Sequence, residues 1–296
     1  MRVLVTGANS PLGEAVCKAA KSQKLTVVGA IRGFKPYWRN EYVDDLIEID
    51  LLQPRSVRAL TPGIDSVIHV AAQSYGSPHE IMAATGLGTF YLASRAAEVG
   101  VKRFVHVSGI SVYGRVVEGV INASTSIRHS SSYGAAKWAA ECYLRQLQGA
   151  MSSISVRSPA IVGKRFANHF LGRLVGEMKD NAESIEVSNP KFRFNNVVHE
   201  SILAKFLVSQ SLTVSEEFCA VPLASSFGLL IESIVARLRC ALNYKGAIKW
   251  TDSTERPFSI DLTSALELGF EPATTSETLD RWVDELTLEV PRTVNL

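Results

Sequence analysis

Segments with the composition of strands and of helices alternate along the first half of this chain, which restricts its fold more than any other feature. The strand segments are short, rich in β-branched residues and apolar on both faces, so we expect burial on both sides. Buried strands separated by helices are typical of an α/β fold with a doubly wound parallel sheet. The predicted strands are residues 3–6, 25–30, 45–49, 66–70, 103–108 and 153–157, and the predicted helices are 11–22, 54–60, 79–99 and 133–148.

The first predicted strand leads through a glycine turn into the first helix. Gly7 suits a tight turn, and Gly13 lets the helix lie close to the sheet. Ser10 can cap the helix and Pro11 fits its first turn, although Ser10 stands where a full fingerprint has a glycine. The free N–H groups of this helix start can bind a dinucleotide pyrophosphate; the alternative is a turn without a ligand. The candidate cofactor contacts here are Gly7, Asn9, Ser10, Pro11, Leu12 and Gly13.

Composition indicates an ordinary globular protein. The chain has 296 residues, of which 46% are hydrophobic, and its net charge is 31 − 29 = +2. We therefore expect no nucleic-acid partner and no membrane partner. Because the first predicted strand lies at the start of this sequence, we expect no signal peptide. The four cysteines show no metal-ligand spacing, so we expect no metal, reduced thiols and a cytoplasmic location.

A tyrosine and a lysine lie four residues apart in the segment YGAAKWAAECYLRQLQ, which has the composition of a helix. Tyr133 and Lys137 therefore share one helix face. A free tyrosine titrates near pH ~10, and a nearby ammonium group favours the phenolate, so we expect Lys137 to lower the pKa of Tyr133. Such a pair can act as an acid/base group on a hydroxyl or carbonyl. The alternative is an ordinary surface pair.

The second predicted strand ends at Arg32 without the acidic residue that bonds the ribose 2′-hydroxyl in NAD enzymes. An arginine there can pair with a 2′-phosphate, with Lys35 or Arg39 as helpers, so NADP is slightly favoured over NAD. The alternative is a solvated loop arginine.

Beyond residue 163 the pattern changes, which predicts a smaller lobe for the substrate. We expect helices at about residues 168–180, 199–211 and 228–242, with shorter strands between them, and two short helices within 260–285. Polar and basic side chains at the lobe boundary could pair with a nucleotide diphosphate, or could be solvated surface groups. They are Lys164, Arg165, Asn168, Lys191 and Arg193.

Five motifs stand in a characteristic order: TGANSPLG at 6–13, EIDL at 48–51, VIHVAA at 67–72, VHVSGISVYG at 105–114 and RSPAIVG at 157–163. Together with Tyr133 and Lys137 they resemble the extended short-chain dehydrogenase/reductase superfamily, in its NAD-dependent epimerase/dehydratase (nucleotide-sugar) branch. The resemblance implies a Rossmann-type domain over residues 1–163, to which 194–222 return. It implies a smaller C-terminal substrate-binding lobe of residues 164–193 and 223–296, and a homodimer.

The resemblance also implies roles for single residues. Tyr133 exchanges a proton with the substrate oxygen, and Lys137 holds the nicotinamide ribose. Tyr113 lies against the cofactor or the substrate. The further implied cofactor contacts are Asp50, Leu51, Ala71, Ala72 and Pro159.

Two positions depart from the family pattern. The catalytic Ser or Thr of the family falls on Gly109, and the Asn of its long helix falls on Thr85. Ser108 and Ser111 flank Gly109, and either could bond a substrate oxygen. For Ser108 the alternative is a strand-end hydroxyl that bonds the local backbone.

These observations predict an NAD(P)-dependent oxidoreductase that reduces or epimerises a nucleotide sugar by hydride transfer assisted by Tyr133 and Lys137. Dehydration is less favoured, because the Asp-Glu pair that dehydratases of the family carry is replaced by Ile110 and Ser111. Two alternatives stay open. One is a non-catalytic dinucleotide-binding sensor or regulator, and the other is a reductase of a small non-sugar carbonyl.

Overall fold

The computed structural model describes residues 1–33, 38, 40–128, 131–163, 169–215, 217–252 and 257–288. In chain order the strands are β1 (Arg2–Thr6), β2 (Thr26–Ile31), β3 (Asp45–Glu48), β4 (Ser66–His69), β5 (Arg103–Gly109), β6 (Val120–Ile121), β7 (Ser152–Ser158), β8 (Ala160–Val162), β9 (Ser184–Ser188), β10 (Arg193–Phe194), β11 (Val197–His199), β12 (Cys219–Pro222), β13 (Leu229–Leu230), β14 (Ala247–Thr251) and β15 (Ser259–Ile260). The α-helices are α1 (Pro11–Ser22), α2 (Pro78–Ile81), α3 (Gly88–Glu98), α4 (Ser132–Gln146), α5 (Phe170–Lys179), α6 (Glu200–Ser211), α7 (Ile231–Ala241), α8 (Thr263–Glu267) and α9 (Thr275–Thr287).

The central sheet has seven parallel strands in the order β12-β7-β5-β4-β1-β2-β3. Leu4 of β1 pairs with Val28 on one side and with Val67 on the other. The chain thus starts in the middle of the sheet and winds outward in both directions. The predicted doubly wound α/β fold is confirmed. In such sheets the ligand crevice lies at the carboxyl ends of the strands where the order reverses, here beyond β1 and β4.

Alternate residues of the central strands pack on opposite faces of the sheet. Val5 lies in one apolar cluster with Val16 of α1 and Leu207 of α6. Its neighbour Leu4 lies in a second cluster with Leu92 of α3. Both faces are therefore covered by helices, which explains the apolar runs of the strands.

A third apolar cluster forms the smaller lobe, where α5, α7 and α9 surround β9 and β14. Leu174 and Trp282 are fully buried in it, and the Trp282 indole N–H donates to the carbonyl oxygen of Gly163 at 3.1 Å. Between the lobe segments, α6 packs against the central sheet and β12 extends that sheet beside β7. The domain bounds at residues 163, 194 and 222 stay a prediction.

Two of the predicted helices have a different geometry in the structure. The segment 79–99 is α2 and α3 joined by a π turn (Met82–Leu87), and residues Pro54–Ala59 form a 3-10 helix. Short helical pieces commonly take 3-10 geometry, and π turns are single-turn insertions within longer helices. No helix in the described part of the chain is long and apolar enough to cross a bilayer.

Candidate active site

A cleft of about 570 Å³ opens at the carboxyl ends of β1 and β4, where the sheet topology places a ligand crevice. It brings together residues from the glycine turn, from the ends of β2, β3 and β4, and from α4. The predicted site residues that line it are Gly7, Asn9, Ser10, Pro11, Leu12, Arg32, Asp50, Leu51, Ala71, Ala72, Tyr133 and Lys137.

A larger cavity of about 880 Å³ lies against α1, α6 and α9. Among the residues described, it shares only Pro11 with the cleft. Its lining mixes lysines, an arginine and glutamates. The predicted site residues named above line the cleft, and of these only Pro11 also lines the larger cavity.

The turn between β1 and α1 requires glycine at two positions, one for its conformation and both for its packing. Gly7 has φ +65°, and a Cβ atom there would lie 3.1 Å from the backbone of Ala71. A Cβ atom at Gly13 would overlap the carbonyl group of Gly7, so Gly13 brings α1 against the turn instead of lining the cleft. The Ser10 hydroxyl accepts from the Gly13 N–H at 3.1 Å and caps α1. The N-terminus of α1 thus faces the cleft with free N–H groups of the kind that bind anions, although the hydroxyl of Ser10 occupies one of these donors.

Asp50 and Arg32 lie at the far end of the cleft. One carboxylate oxygen of Asp50, Oδ1, accepts from the Leu52 N–H at 3.0 Å, which holds the side chain at the cleft. Arg32 is exposed beyond the end of β2, so it can reach a charged group. The predicted helpers Lys35 and Arg39 lie outside the described residues.

Tyr133 and Lys137 lie on the first turns of α4, where the Ser131 hydroxyl caps the helix. The Lys137 Nζ donates to the Val107 carbonyl oxygen at 2.6 Å and lies 5.8 Å from the centroid of the Tyr133 ring. It also lies 3.5 Å from Nε2 of His106. Strand β5 therefore anchors the ammonium group beneath the tyrosine.

Burial controls the titration of both groups. Burial raises the pKa of Tyr133 to about 12. It lowers the pKa of Lys137 to about 7, although the charge of Glu141 acts in the opposite direction. The expectation that Lys137 lowers the tyrosine pKa is wrong for this arrangement. The loss of hydration outweighs a cation 5.8 Å from the ring.

The lowered pKa of Lys137 predicts a pH-dependent stability. An unfolded lysine titrates near pH ~10.4, so between about pH 7 and that value the unfolded chain binds more protons and the free energy of unfolding rises with pH. The slope contributed by one group is at most about 1.4 kcal/mol per pH unit. Lys137→Met removes this contribution. Urea unfolding between pH 6.5 and 9.5 should show the wild type gaining stability relative to the variant.

Lys102→Met provides the control, because this lysine is exposed. It should leave the pH slope unchanged. Parallel stability curves for wild type and Lys137→Met would contradict a buried lysine with a lowered pKa.

A buried ion pair lies behind the cleft. Arg157 Nη2 donates to Glu141 Oε2 at 2.7 Å, and both side chains are at most 4% exposed. The Ser108 hydroxyl donates to Glu141 Oε1 at 2.6 Å. Arg157 Nη1 donates to the Tyr113 hydroxyl at 2.9 Å, which donates to the Asn122 carbonyl oxygen at 2.7 Å.

This network changes the interpretation of two predicted site residues. Ser108 is buried and bonds a side chain, instead of a substrate or the local backbone. Tyr113 is fully buried and its hydroxyl is committed on both sides. Neither lines the cleft among the described residues, so the structure brings neither to a substrate.

Sequence reasoning missed Glu141, Arg157 and the contact of His106 with Lys137. The four-residue spacing from Lys137 to Glu141 was the available signal, since it places both on one helix face. Ser155 bonds the other ring nitrogen of His106 at 3.0 Å, and burial lowers the pKa of this histidine. His106 is therefore a neutral histidine inside β5, bonded to a side chain.

The remaining predicted residues lie elsewhere. Pro159 is buried and Ile161 lines the cleft instead. Arg193, on β10, donates to the Gly228 carbonyl oxygen at 3.2 Å and lies away from the cleft. Ser111 lies beside Gly109, at the start of a 3-10 helix (Ile110–Tyr113). Asn168, Lys164 and Arg165 lie outside the described residues.

The sequence profile of the NAD dependent epimerase/dehydratase family matches residues 3–194. The chain is 26% identical over 165 residues to the dTDP-glucose 4,6-dehydratase of Streptomyces niveus, covering 48% of this chain and 47% of the relative. It is 32% identical over 106 residues to the dTDP-D-glucose 4,6-dehydratase of Homo sapiens, covering 33% of this chain and 30% of the relative. The matches thus span about half or less of these relatives.

Similar solved structures cover nearly the whole chain. The UDP-glucose 4-epimerase of Thermus thermophilus, in complex with NAD, superposes with a TM-score of 0.78 at 20% identity, covering 98% of this chain and 100% of that one. DesIV, a dTDP-glucose 4,6-dehydratase of Streptomyces venezuelae with NAD bound, gives 0.78 at 19% identity, covering 96% of each chain. At such identities the superpositions show a shared Rossmann-type fold.

Proposed function

This chain belongs to the NAD dependent epimerase/dehydratase family, and we propose that it is an NAD(P)-dependent oxidoreductase that reduces or epimerises a nucleotide sugar. One observation carries the proposal. Tyr133 and Lys137 line the same cleft as the glycine turn and Asp50, so an acid/base pair lies within reach of a dinucleotide site. Both similar structures named above contain NAD, which supports the cofactor class.

The residues of the cleft fit a dinucleotide. Gly7 lets the turn before α1 pack against Ala71, and the N-terminus of α1 offers its N–H groups to a pyrophosphate. We assign the adenine end to Asp50 and the nicotinamide end to Lys137, with Ala71 and Ala72 along the wall between them. When bound, the nicotinamide supplies hydride transfer.

Tyr133 is equipped to donate a proton. With a pKa raised to about 12, its phenol is protonated at neutral pH and can protonate a carbonyl oxygen as that carbonyl is reduced. Proton donation leaves a phenolate in the same buried place, so either direction of the reaction needs that phenolate to be stabilised in the cleft.

Arg32 supports a preference for NADP. It lines the cleft at the end of β2, in the position where an acidic residue would bond a ribose 2′-hydroxyl. Charge-assisted hydrogen bonds contribute about 1.5–3 kcal/mol, so Arg32→Ala should weaken NADPH binding by about 10–100-fold. NADH binding should stay within about twofold, because NADH has no phosphate at this position. Fluorescence titration of both cofactors measures the two dissociation constants.

Arg58→Ala is the matched control, because Arg58 is exposed on the 3-10 helix outside the cleft. It should leave both affinities unchanged. An equal loss of NADH and NADPH affinity in Arg32→Ala would assign Arg32 to the cofactor in general and remove the NADP preference.

Dehydration is less favoured even though the curated relatives are dTDP-glucose 4,6-dehydratases. In place of the acid/base pair that the resemblance leads one to expect, this chain has Ile110 and Ser111. Neither side chain exchanges protons at neutral pH. The chain therefore lacks the acid/base groups that dehydration needs at the neighbouring sugar carbons.

A second candidate is a dinucleotide-binding regulator without turnover. It is favoured by Gly109, which removes a hydroxyl from the end of β5. Retention of both Tyr133 and Lys137 in the cleft argues against it, since cofactor binding alone does not need an acid/base pair.

Turnover on a panel of UDP-, GDP- and dTDP-sugars and their 4-keto forms tests the proposal. Each is incubated with NADH, NADPH or no added cofactor, while nicotinamide absorbance and product NMR are followed. Stoichiometric NADPH consumption on a keto sugar identifies a reductase, and interconversion without net oxidation identifies an epimerase. Tight cofactor binding without turnover supports the regulator.

Arg193 and Asn168 stay candidate contacts of the nucleotide, and the homodimer and the cytoplasmic location stay predictions.

A further inference from the structure

His69 is a fully buried side chain at the carboxyl end of β4 that the proposed reaction does not use. Burial, together with the charge of Lys137, lowers its pKa to about 3, so the ring is neutral. Nδ1 lies 2.7 Å from the hydroxyl of Thr6, the last residue of β1. Nε2 lies 2.9 Å from the hydroxyl of Thr89 on α3. The ring therefore joins β1 to a helix that covers the sheet.

The neighbours of His69 determine which ring nitrogen carries the proton. The Thr89 hydroxyl donates its single proton to the Thr85 carbonyl oxygen at 2.7 Å, so it can only accept from the ring. Nε2 is therefore protonated, and Nδ1 accepts from the Thr6 hydroxyl. The Thr6 oxygen then accepts from the Ala71 N–H at 3.2 Å.

This hydrogen bond ties the glycine turn to the wall of the cleft. Thr6 and Ala71 both line the cleft, and Gly7 packs against the backbone of Ala71. The direction of the bond depends on His69, since its Nδ1 takes the Thr6 proton. Without that acceptor the proton would be buried without a partner, which is unfavourable, and the hydroxyl would no longer be held toward Ala71.

The other side of the ring leads to the same wall. Thr85 accepts from Thr89 through its carbonyl group, and its hydroxyl bonds both the N–H and the carbonyl oxygen of Gln73 at 2.9 Å. Gln73 lines the cleft two residues after Ala71. The wall beyond β4 is thus attached at two points, and His69 connects them.

We propose that His69 is a positioning residue that, through Thr6, fixes the glycine turn against Ala71 and thereby sets the affinity of the cleft for its dinucleotide. The N–H groups at the start of α1 are part of the backbone, so a shift of the turn moves them away from the ligand. The inference rests on the proposed function for the class of ligand. His69 itself does not line the cleft among the described residues, so it acts through Thr6.

Two replacements of His69 separate its ring nitrogens. The amide oxygen of asparagine can replace Nδ1 and accept from Thr6, whereas the amide nitrogen of glutamine can replace Nε2 and donate to Thr89. His69→Asn should therefore bind the cofactor within about threefold of the wild type. His69→Gln and His69→Leu should bind it about tenfold more weakly, because both leave Thr6 without its acceptor. Fluorescence titration with NADH or NADPH, whichever the wild type binds more tightly, measures these constants.

Thr6→Val tests the same link from the other side. It keeps the shape of the side chain and should weaken cofactor binding by about tenfold. Combined with His69→Leu it should bind no more weakly than either single variant, because His69 acts through Thr6. Thr275→Val is the matched control, since its buried hydroxyl also has two partners, Ser225 and Ser226, outside the described lining of the cleft. It should lower the thermal midpoint without changing the affinity.

A readout without cofactor checks the tautomer. NMR of the isotope-labelled protein at neutral pH should show His69 with a protonated Nε2 and a bare Nδ1. A proton on Nδ1 would overturn the inference. So would wild-type affinity in Thr6→Val and His69→Leu, equal affinities in His69→Asn and His69→Gln, or an equal loss in Thr275→Val.

Cofactor binding separates this inference from the proposed function. A wild type that binds a dinucleotide but turns over no sugar contradicts the proposed function, while the affinities of the variants still decide the role of His69. A wild type that binds neither NADH nor NADPH overturns both proposals.

Discussion

Replacing Tyr133 with phenylalanine is expected to lower kcat by about 10²–10⁴-fold, the range for the loss of a positioned proton donor. The variant keeps the ring and loses only the hydroxyl, so the cleft stays intact. The dissociation constant for NADPH should stay within about threefold, because the proposed cofactor contacts of the glycine turn and Asp50 are unchanged. Steady-state rates on the substrate found with the panel, together with cofactor titration, measure both quantities.

Tyr75→Phe is the matched control for this variant. Tyr75 lines the same cleft but is 71% exposed. It should retain nearly the wild-type kcat. Unchanged turnover in Tyr133→Phe would mean that another group supplies the proton, and would contradict the role proposed for Tyr133.

Much of the fold can be predicted because its determinants are local. Apolar runs of four to six residues predict strands, and six predicted strands are confirmed as β1, β2, β3, β4, β5 and β7, with ends that differ by at most one residue. Strand β12 is not predicted in this way. It has four residues and ends in Pro222, which is tolerated because the strand lies at the edge of the sheet.

Some features of the candidate site can likewise be predicted from the sequence, and others cannot. The glycine turn, Arg32 and Tyr133 can be predicted, because each stands at the end of a predicted element and parallel strands bring such ends to one edge of the sheet. Asp50 follows only from the resemblance to the family. The commitment of Ser108 to Glu141 cannot, since it joins residues 33 apart in the chain. The raised pKa of Tyr133 depends on burial, which spacing along a helix does not reveal.

Replacing Glu141 with glutamine is expected to destabilise the protein by about 3–5 kcal/mol, the usual loss when one partner of a buried ion pair is removed. The substitution keeps the shape of the side chain but leaves the Arg157 guanidinium, with its side chain 4% exposed, without a counter-charge. Since domains are stable by about 5–15 kcal/mol, this is a large fraction of the total. Urea unfolding at pH 7 measures the loss. Glu98→Gln is the control, because the Glu98 side chain of the Arg95–Glu98 pair is 67% exposed, and a change of at most about 1 kcal/mol is expected.

The double variant Glu141→Leu, Arg157→Met shows what the pair itself contributes. Replacing both charges with apolar side chains removes the unpaired guanidinium, so the double variant should be more stable than Glu141→Gln. Turnover should nevertheless fall, because Ser108 loses its acceptor and Tyr113 keeps only the Asn122 carbonyl oxygen, which weakens the support of the 3-10 helix that packs against α4. The pair would then serve chiefly to position this 3-10 helix. A Glu141→Gln variant as stable as the wild type would contradict the buried charge, and a fully active double variant would show that the 3-10 helix is held by its apolar contacts alone.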